Sequence, residues 1–257
     1  MATIGIFDSG SGGLSVFREI RRIMPHERYI YFSDNANCPY GSKSREFITG
    51  RAREITKMLI AKGADLIVIA CNTATAAAIA TLRKEFGIPF VGMEPAVKPA
   101  ALGTRSGVIG VLATAGTLKA SKYLDTRDRY TKGLEVVEHT GQGFVELVES
   151  LELDSPKAYD TVKASLQPLL SAGADTIVLG CTHYPFLLPT MEKVSADLGY
   201  EVRFIDPAPA VARQVLKILE EKEIGPAADG RPEVELLSSA SADTLQKLFS
   251  LSCCSSC

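Results

Sequence analysis

The sequence lacks three features that would place it in other classes of protein. It has no basic excess, since 28 Lys and Arg residues face 30 Asp and Glu residues, so we expect no nucleic-acid partner. The longest apolar run, from Leu66 to Cys71, is far shorter than the roughly 20 residues that span a bilayer. Residues 1–5 contain no basic region, so we expect no signal peptide, no membrane attachment and a cytoplasmic location.

The six cysteines do not indicate a disulfide framework. Without a secretory signal they are expected to be reduced thiols. Three stand singly inside the chain and three lie in the last five residues; they are Cys38, Cys71, Cys181, Cys253, Cys254 and Cys257. The C-x-x-C at the end has no partner pair to complete a metal site, so we predict no metal and interpret residues 253–257 as a disordered tail.

What the sequence does contain is one stretch that occurs twice. Residues 63–71 read GADLIVIAC and residues 173–181 read GADTIVLGC. Short β-branched runs of this kind are typical of strands buried on both faces of a parallel sheet. Each copy ends in a cysteine, and open α/β sheets bind ligands at the carboxyl ends of their strands. The repeat therefore predicts two thiols, Cys71 and Cys181, in one site.

The order of apolar runs predicts two similar halves. Strand, loop and helix patterns start at residue 3 and start again at residue 106. We predict an α/β fold of two similar doubly wound domains with mainly parallel sheets, related by a pseudo-twofold axis, with the active site in the cleft between them. The domains are residues 1–95 plus 207–252 and residues 96–206. Residues 113–117 are predicted to form a loop, and no element is assigned to residues 118–133.

A glycine loop, DSGSGG at residues 8–13, follows the first predicted strand. Such loops cradle anions at the start of a helix. A P-loop would end in Gly-Lys-Ser/Thr, whereas Leu14 and Ser15 stand there. A dinucleotide site stays open as a minor alternative, with Asp34 as the ribose-binding acid. A simpler interpretation is that the loop needs its glycines only for positive φ. That interpretation gives no reason for an aspartate, Asp8, at the end of the strand.

Two thiols suggest a particular chemistry. If one thiolate removes a proton from a carbon and the opposite thiol returns one, the carbon is inverted. A thiol with a pKa of about 8.5 needs a partner that takes and returns its proton. Asp8 and His183 are the candidates beside Cys71 and Cys181. Alternatively, His183 caps a helix and each cysteine is a small buried hydrophobe, but the repeated placement favours a site.

Four motifs then resemble the glutamate racemases of the aspartate/glutamate racemase family. They are DSGSGGL at 8–14, PYG at 39–41, ACNTA at 70–74 and GCTHYP at 180–185. Relatives that racemise aspartate commonly carry Glu after Cys-Thr, so His183 favours glutamate. The family's loop usually has Arg where Asn37 stands here, which leaves that position's charge contribution open.

The resemblance implies interconversion of L- and D-glutamate without a cofactor, supplying D-glutamate for peptidoglycan synthesis, by a homodimer. Cys71 would deprotonate D-glutamate with help from Asp8. Cys181 would deprotonate L-glutamate with help from His183 and an upstream acid, Glu149 rather than Glu146 or Glu152. The implied substrate contacts are Asp8, Ser9, Tyr40, Gly41, Asn72, Thr73, Thr182 and His183.

Two further hypotheses stay open beside glutamate racemisation. One is a racemase of aspartate or another amino acid. The other is a two-lobed protein that binds an amino acid without turning it over.

Overall fold

The computed structural model describes residues 2–224 and 233–254, without the side chains of Cys253 and Cys254. The chain divides into two compact units, Met1–Met93 with Ala208–Cys257, and Glu94–Pro207. Each unit has its own sheet, and every strand pair in both sheets is parallel. The prediction of an α/β fold with two mainly parallel sheets is confirmed. The pseudo-twofold relation and the cleft stay predictions, and residues 255–257 of the predicted tail lie outside the described residues.

The strands and helices alternate along most of the described chain. The strands are β1 (Thr3–Asp8), β2 (Arg28–Ser33), β3 (Leu66–Ile69), β4 (Phe90–Gly92), β5 (Val108–Ala113), β6 (Glu135–Thr140), β7 (Thr176–Gly180), β8 (Arg203–Ile205) and β9 (Val234–Ser238). The helices are α1 (Leu14–Ile23), α2 (Arg45–Ala61), α3 (Asn72–Glu85), α4 (Val97–Gly103), α5 (Ala115–Leu118), α6 (Ser121–Tyr130), α7 (Phe144–Glu149), α8 (Pro156–Ser171), α9 (Leu188–Asp197), α10 (Ala208–Glu221) and α11 (Asp243–Cys254). None of these helices combines the length and the apolar character needed to cross a membrane.

The two repeated strands hold equivalent places in their sheets. The strand order is β4-β3-β1-β2-β9 in the first unit and β6-β5-β7-β8 in the second. β3 therefore lies between β4 and β1, and β7 lies between β5 and β8. All residues of both strands are buried, as expected of strands covered on both faces. β9 pairs with β2 in parallel, so a segment from the end of the chain completes the first sheet.

Three helices, α4, α5 and α6, lie where no helix is predicted from the sequence. The prediction of a loop at 113–117 was wrong, because most of it is helical. α5 begins at Ala115, and two residues separate its end from the start of α6. Only Tyr123 of α6 is buried, so this helix lacks the apolar stripe that reveals a helix in a sequence. α4 contains Pro99 and ends at Gly103, residues that usually mark turns.

Candidate active site

Cys71 lies where β3 gives way to α3. It is the N-cap residue of α3, and its Sγ accepts a hydrogen bond from the N–H of Ala74 at 3.4 Å. The sulfur is nearly buried. A helix N-terminus stabilises negative charge through its N–H groups and its dipole. The end of the first repeat therefore holds a thiol in a place that favours the thiolate.

Asp8 reaches Cys71 through a hydroxyl group. β1 pairs with β3, which brings the end of β1 beside the thiol. The Cys71 thiol donates to Ser9 Oγ over 3.6 Å, and Ser9 Oγ donates to Asp8 Oδ1 at 2.9 Å. Asp8 Oδ1 also accepts from the N–H of Gly10 at 3.2 Å. Cys71, Ser9 and Asp8 thus form a buried relay in which Ser9 links the acid to the thiol.

The glycine loop gives Asp8 the space that it needs. Its glycines are not among the residues with positive φ, so the interpretation that positive φ alone requires them was wrong. A Cβ at Gly13 would lie 2.8 Å from Asp8 Cβ and 2.8 Å from Tyr31 Oη. Gly13 is therefore needed because the loop backbone passes directly against the carboxyl group.

Cys181 has a different partner set. It follows β7 and is nearly buried. Its Sγ lies 3.8 Å from His183 Nδ1, and His183 Nε2 lies 2.7 Å from Glu149 Oε1. His183 precedes a short 3₁₀ helix, Tyr184–Leu187, but its side chain does not cap that helix. The capping alternative was therefore wrong, and the imidazole links a thiol to a carboxylate.

Glu149 is the last residue of α7. Gly143, with φ at 82°, begins that helix in the left-handed region, which glycine adopts at little cost. Phe144 packs edge-on against Tyr184, with ring centroids 5.0 Å apart. The packing aims the end of α7 at His183. Glu146 is exposed, and Glu152 pairs with Lys157 at 3.1 Å, so of the three acids the structure brings Glu149 to the imidazole.

Tyr184 stays neutral beside Cys181. Burial raises the pKa of its phenol well above 10, and the nearby Cys181 raises it further. The hydroxyl donates to the carbonyl of Gly141 at 3.4 Å. A Cβ at Gly141 would lie 2.6 Å from that hydroxyl oxygen, so the glycine makes room for the ring.

The remaining predicted contacts lie beside one of the thiols in the sequence or in the loop at residues 40–41. Asn72 and Thr73 open α3, and Asn72 Nδ2 is a buried donor without a hydrogen-bond partner among the described residues. Buried polar atoms are almost always paired, so this amide suits an oxygen of a ligand. Thr182 is buried directly after Cys181. Gly41 lies in a short 3₁₀ helix, Tyr40–Ser42.

Asp34, the acid of the dinucleotide alternative, is fully engaged within its own unit. It accepts hydrogen bonds from Tyr40 Oη at 2.5 Å, from Asn37 Nδ2 at 3.0 Å, and from Arg51 Nε and Nη2 at 3.0 and 2.8 Å. Burial alone would raise its pKa, but the bonds from Arg51, Tyr40 and Asn37 outweigh burial and lower it. Asp34 is therefore a charged internal anchor and not a ribose ligand, and Asn37 supports it.

Fold and site together define an α/β enzyme in which each of two parallel sheets carries a thiol at the end of one strand, and each thiol contacts its own chain of polar side chains. The sequence profile of the Asp/Glu/Hydantoin racemases matches residues 4–215. The chain belongs to this family, and it is an isomerase of the racemase type.

Three relatives, one known by its sequence and two by their structures, resemble most of the chain. The glutamate racemase of Roseiflexus sp. (strain RS-1) is 50% identical over 85% of this chain and 80% of the relative. The crystal structure of Escherichia coli glutamate racemase in complex with L-glutamate and the activator UDP-MurNAc-Ala has a TM-score of 0.88 at 35% identity, covering 98% of this chain and 95% of that one. Francisella tularensis glutamate racemase in complex with D-glutamate has a TM-score of 0.83 at 27% identity, covering 98% of this chain and 93% of that one.

Proposed function

We propose that this protein interconverts L- and D-glutamate without a cofactor, using Cys71 and Cys181 as its two bases. The observation that carries the proposal is the duplicated strand end, which gives each unit one thiol with its own proton partner. The relatives support the substrate, since one of them was crystallised with L-glutamate and another with D-glutamate.

With D-glutamate, the Cys71 thiolate removes the α-proton, so that the C–H bond breaks and an S–H bond forms. The Cys181 thiol then gives its proton to the opposite face of the carbon, forming L-glutamate. L-Glutamate reacts by the same steps with the roles exchanged. Negative charge develops on the substrate's α-carboxylate between the two steps, and preorganised N–H donors stabilise such charge.

The two partner sets restore the thiols. A proton on Cys71 passes to Ser9 Oγ while the Ser9 proton passes to Asp8, which leaves a thiolate and a carboxylic acid. His183 exchanges a proton with Cys181, and Glu149 stabilises the imidazolium that forms. The buried placement of both thiols supports these roles because it keeps bulk water from competing for their protons.

The substrate contacts are proposed from the resemblance. Asn72 Nδ2 is a buried donor without a partner among the described residues, which suits a carboxylate oxygen. The other contacts proposed are Asp8, Ser9, Tyr40, Gly41, Thr73, Thr182 and His183.

The cellular role follows from the same resemblance. We propose that the D-glutamate enters peptidoglycan and that the enzyme works in the cytoplasm, where thiols stay reduced. A homodimer is proposed on the resemblance alone, and sedimentation equilibrium of the purified protein tests it.

Circular dichroism of the reduced protein with L-glutamate, and separately with D-glutamate, tests the proposal. Both signals should decay to zero with no cofactor added. Cys71→Ser and Cys181→Ser should each slow the decay by roughly 10²-fold or more, the usual scale of a lost general acid or base. Their far-ultraviolet spectra control for folding.

Three outcomes would contradict parts of the proposal. Racemisation of aspartate in place of glutamate would show that the substrate is wrong. Full activity in both serine variants would remove the two-thiol mechanism. Stabilisation by glutamate without any loss of its signal would favour a binding protein.

A further inference from the structure

Asp34 is a completely buried carboxylate at the end of β2, with 0% of its surface exposed. A buried charge is costly unless it is paired and hydrogen-bonded. Here Arg51 of α2 binds both carboxylate oxygens with its two forked N–H groups, and Tyr40 donates to one of them. The main-chain N–H of Asp34 donates to the carbonyl of Asp8 at 2.9 Å. Asp34 therefore connects α2 and the end of β1 with the loop that contains Tyr40.

The hydroxyl of Tyr40 is engaged in a hydrogen bond inside the protein. Its side chain is 1% exposed, and its ring belongs to the same apolar cluster as Cys71 and Ala74. Burial raises the pKa of Tyr40 far above its ordinary value, and the bond to Asp34 raises it further, so the hydroxyl remains a donor to that carboxylate. Residues 40–41 can therefore contact a ligand mainly through their main chain.

The other end of this loop is held by the end of the chain. Asn35 Oδ1 accepts from Ser238 Oγ at 2.7 Å and from the N–H of Ala240 at 3.1 Å, and Asn35 Nδ2 donates to the carbonyl of Ser241 at 2.8 Å. With Asn35 fixed in this way, weakening the contact between Arg51 and Asp34 releases mainly residues 37–42.

We propose that Asp34 and Arg51 are positioning residues for glutamate binding, which hold Tyr40 by its phenol so that the main chain of residues 40–41 faces the substrate. The inference rests on the proposed function, because the loop acts on glutamate only if glutamate is the substrate. Tyr40 then contributes to binding through its backbone, and its hydroxyl does not touch glutamate.

The test compares two arginines of the same helix. Arg51→Lys keeps the positive charge beside Asp34 but removes the forked contact. Arg53→Lys is the matched control, because Arg53 makes the same two-bond contact with Glu85, at 2.6 and 2.8 Å, on the surface. Tyr40→Phe is the third variant, which removes only the hydroxyl.

Steady-state kinetics with both enantiomers gives the readout. Arg51→Lys and Tyr40→Phe should raise KM roughly 10-fold with kcat within about 2-fold of wild type, the pattern of lost binding shared by ground and transition states. Arg53→Lys should leave KM unchanged. A purely structural role would instead reduce the amount of active enzyme, which lowers apparent kcat and leaves KM alone.

Two results would overturn the inference while the proposed function stands. One is a wild-type KM in Arg51→Lys. The other is a wild-type KM in Tyr40→Phe, since the phenol would then not hold the loop for binding. A wild-type protein that does not racemise glutamate in the same assay would remove both the proposed function and the inference that rests on it.

Discussion

The two units place a cysteine at the same point of the same kind of strand, yet they equip it differently. Cys71 caps α3 and connects through Ser9 to the carboxylate of Asp8. Cys181 precedes a 3₁₀ helix and contacts His183, which binds Glu149. The scaffold fixes where a thiol stands, and the side chains around that thiol decide how its proton is exchanged. Under the proposed mechanism the two thiols act on opposite faces of a chiral molecule. Because those faces differ, the surroundings of the two thiols can differ as well.

The largest expected effect separates the two partner sets. Asp8→Asn and His183→Asn should each lower kcat/KM by roughly 10²-fold. The fall must be equal for both enantiomers, because the equilibrium constant of a racemisation is one. The difference between the units therefore appears in the isotope effects on kcat/KM and not in kcat/KM itself.

α-Deuterated substrates reveal which proton transfer has become limiting. In Asp8→Asn, transfer at Cys71 is slow, so the primary isotope effect on kcat/KM should be large for D-glutamate and small for L-glutamate. His183→Asn should give the opposite pattern. The same pattern in both variants would contradict separate partner sets, and a reversed pattern would exchange the faces assigned to the two thiols.

The repeated strands and their thiols were predictable because their signal is local. β3 and β7 are continuous apolar runs, and the cysteine follows each run directly in the sequence. α6 was missed because its polar residues carry no apolar period. The link between Arg51 and Asp34 joins side chains 17 residues apart, and it depends on how α2 packs against the sheet. The linking role of Ser9 between Asp8 and Cys71 likewise became visible only when β1 and β3 were paired.

A second difference between the units lies at the start of the repeated strands. The two aspartates of the repeat, Asp65 and Asp175, accept different numbers of hydrogen bonds. Asp175 accepts from Thr104 Oγ1 at 2.7 Å and from the N–H groups of Arg105 and Ser106 at 2.6 and 2.8 Å. Asp65 accepts from the N–H of Thr3 at 2.8 Å. Asparagine has one acceptor oxygen and turns an N–H₂ group toward the other donors. Asp175→Asn should therefore cost about 1.5 kcal/mol of unfolding free energy at pH 7, and Asp65→Asn about 0.5 kcal/mol.

The pH dependence of the unfolding free energy below about pH 4 tests the role of Asp175 more closely. Burial would raise the pKa of Asp175, but its bonds from Thr104, Arg105 and Ser106 lower it to about 2. The stabilisation is thus complete above the unfolded value of about 3.9 and is lost as the pH falls toward 2. Urea unfolding should show the gap between wild type and Asp175→Asn closing over that range. A gap that stays constant down to pH 2 would contradict a charge-dependent role.

The smallest expected difference between the units concerns the glycines that open the repeat, where the two units should behave alike. Gly63 and Gly173 both have φ at +89°. The next residue donates its N–H back to the end of the preceding helix in each unit, from Ala64 to Leu59 at 3.0 Å and from Ala174 to Leu169 at 3.2 Å. This is the pattern of a Schellman helix end, which favours glycine.

A methyl group has room at both positions, since nothing lies within 4 Å of a Cβ at Gly63 and only Val108 Cγ2, at 3.9 Å, approaches one at Gly173. Gly63→Ala and Gly173→Ala should therefore differ from wild type only by the cost of left-handed backbone, about 1 kcal/mol each. Thermal unfolding of the two variants measures it. Unequal losses would show that the matching backbone of the two units hides different packing, and equal losses would show that the two helix ends match in energy as well as in geometry.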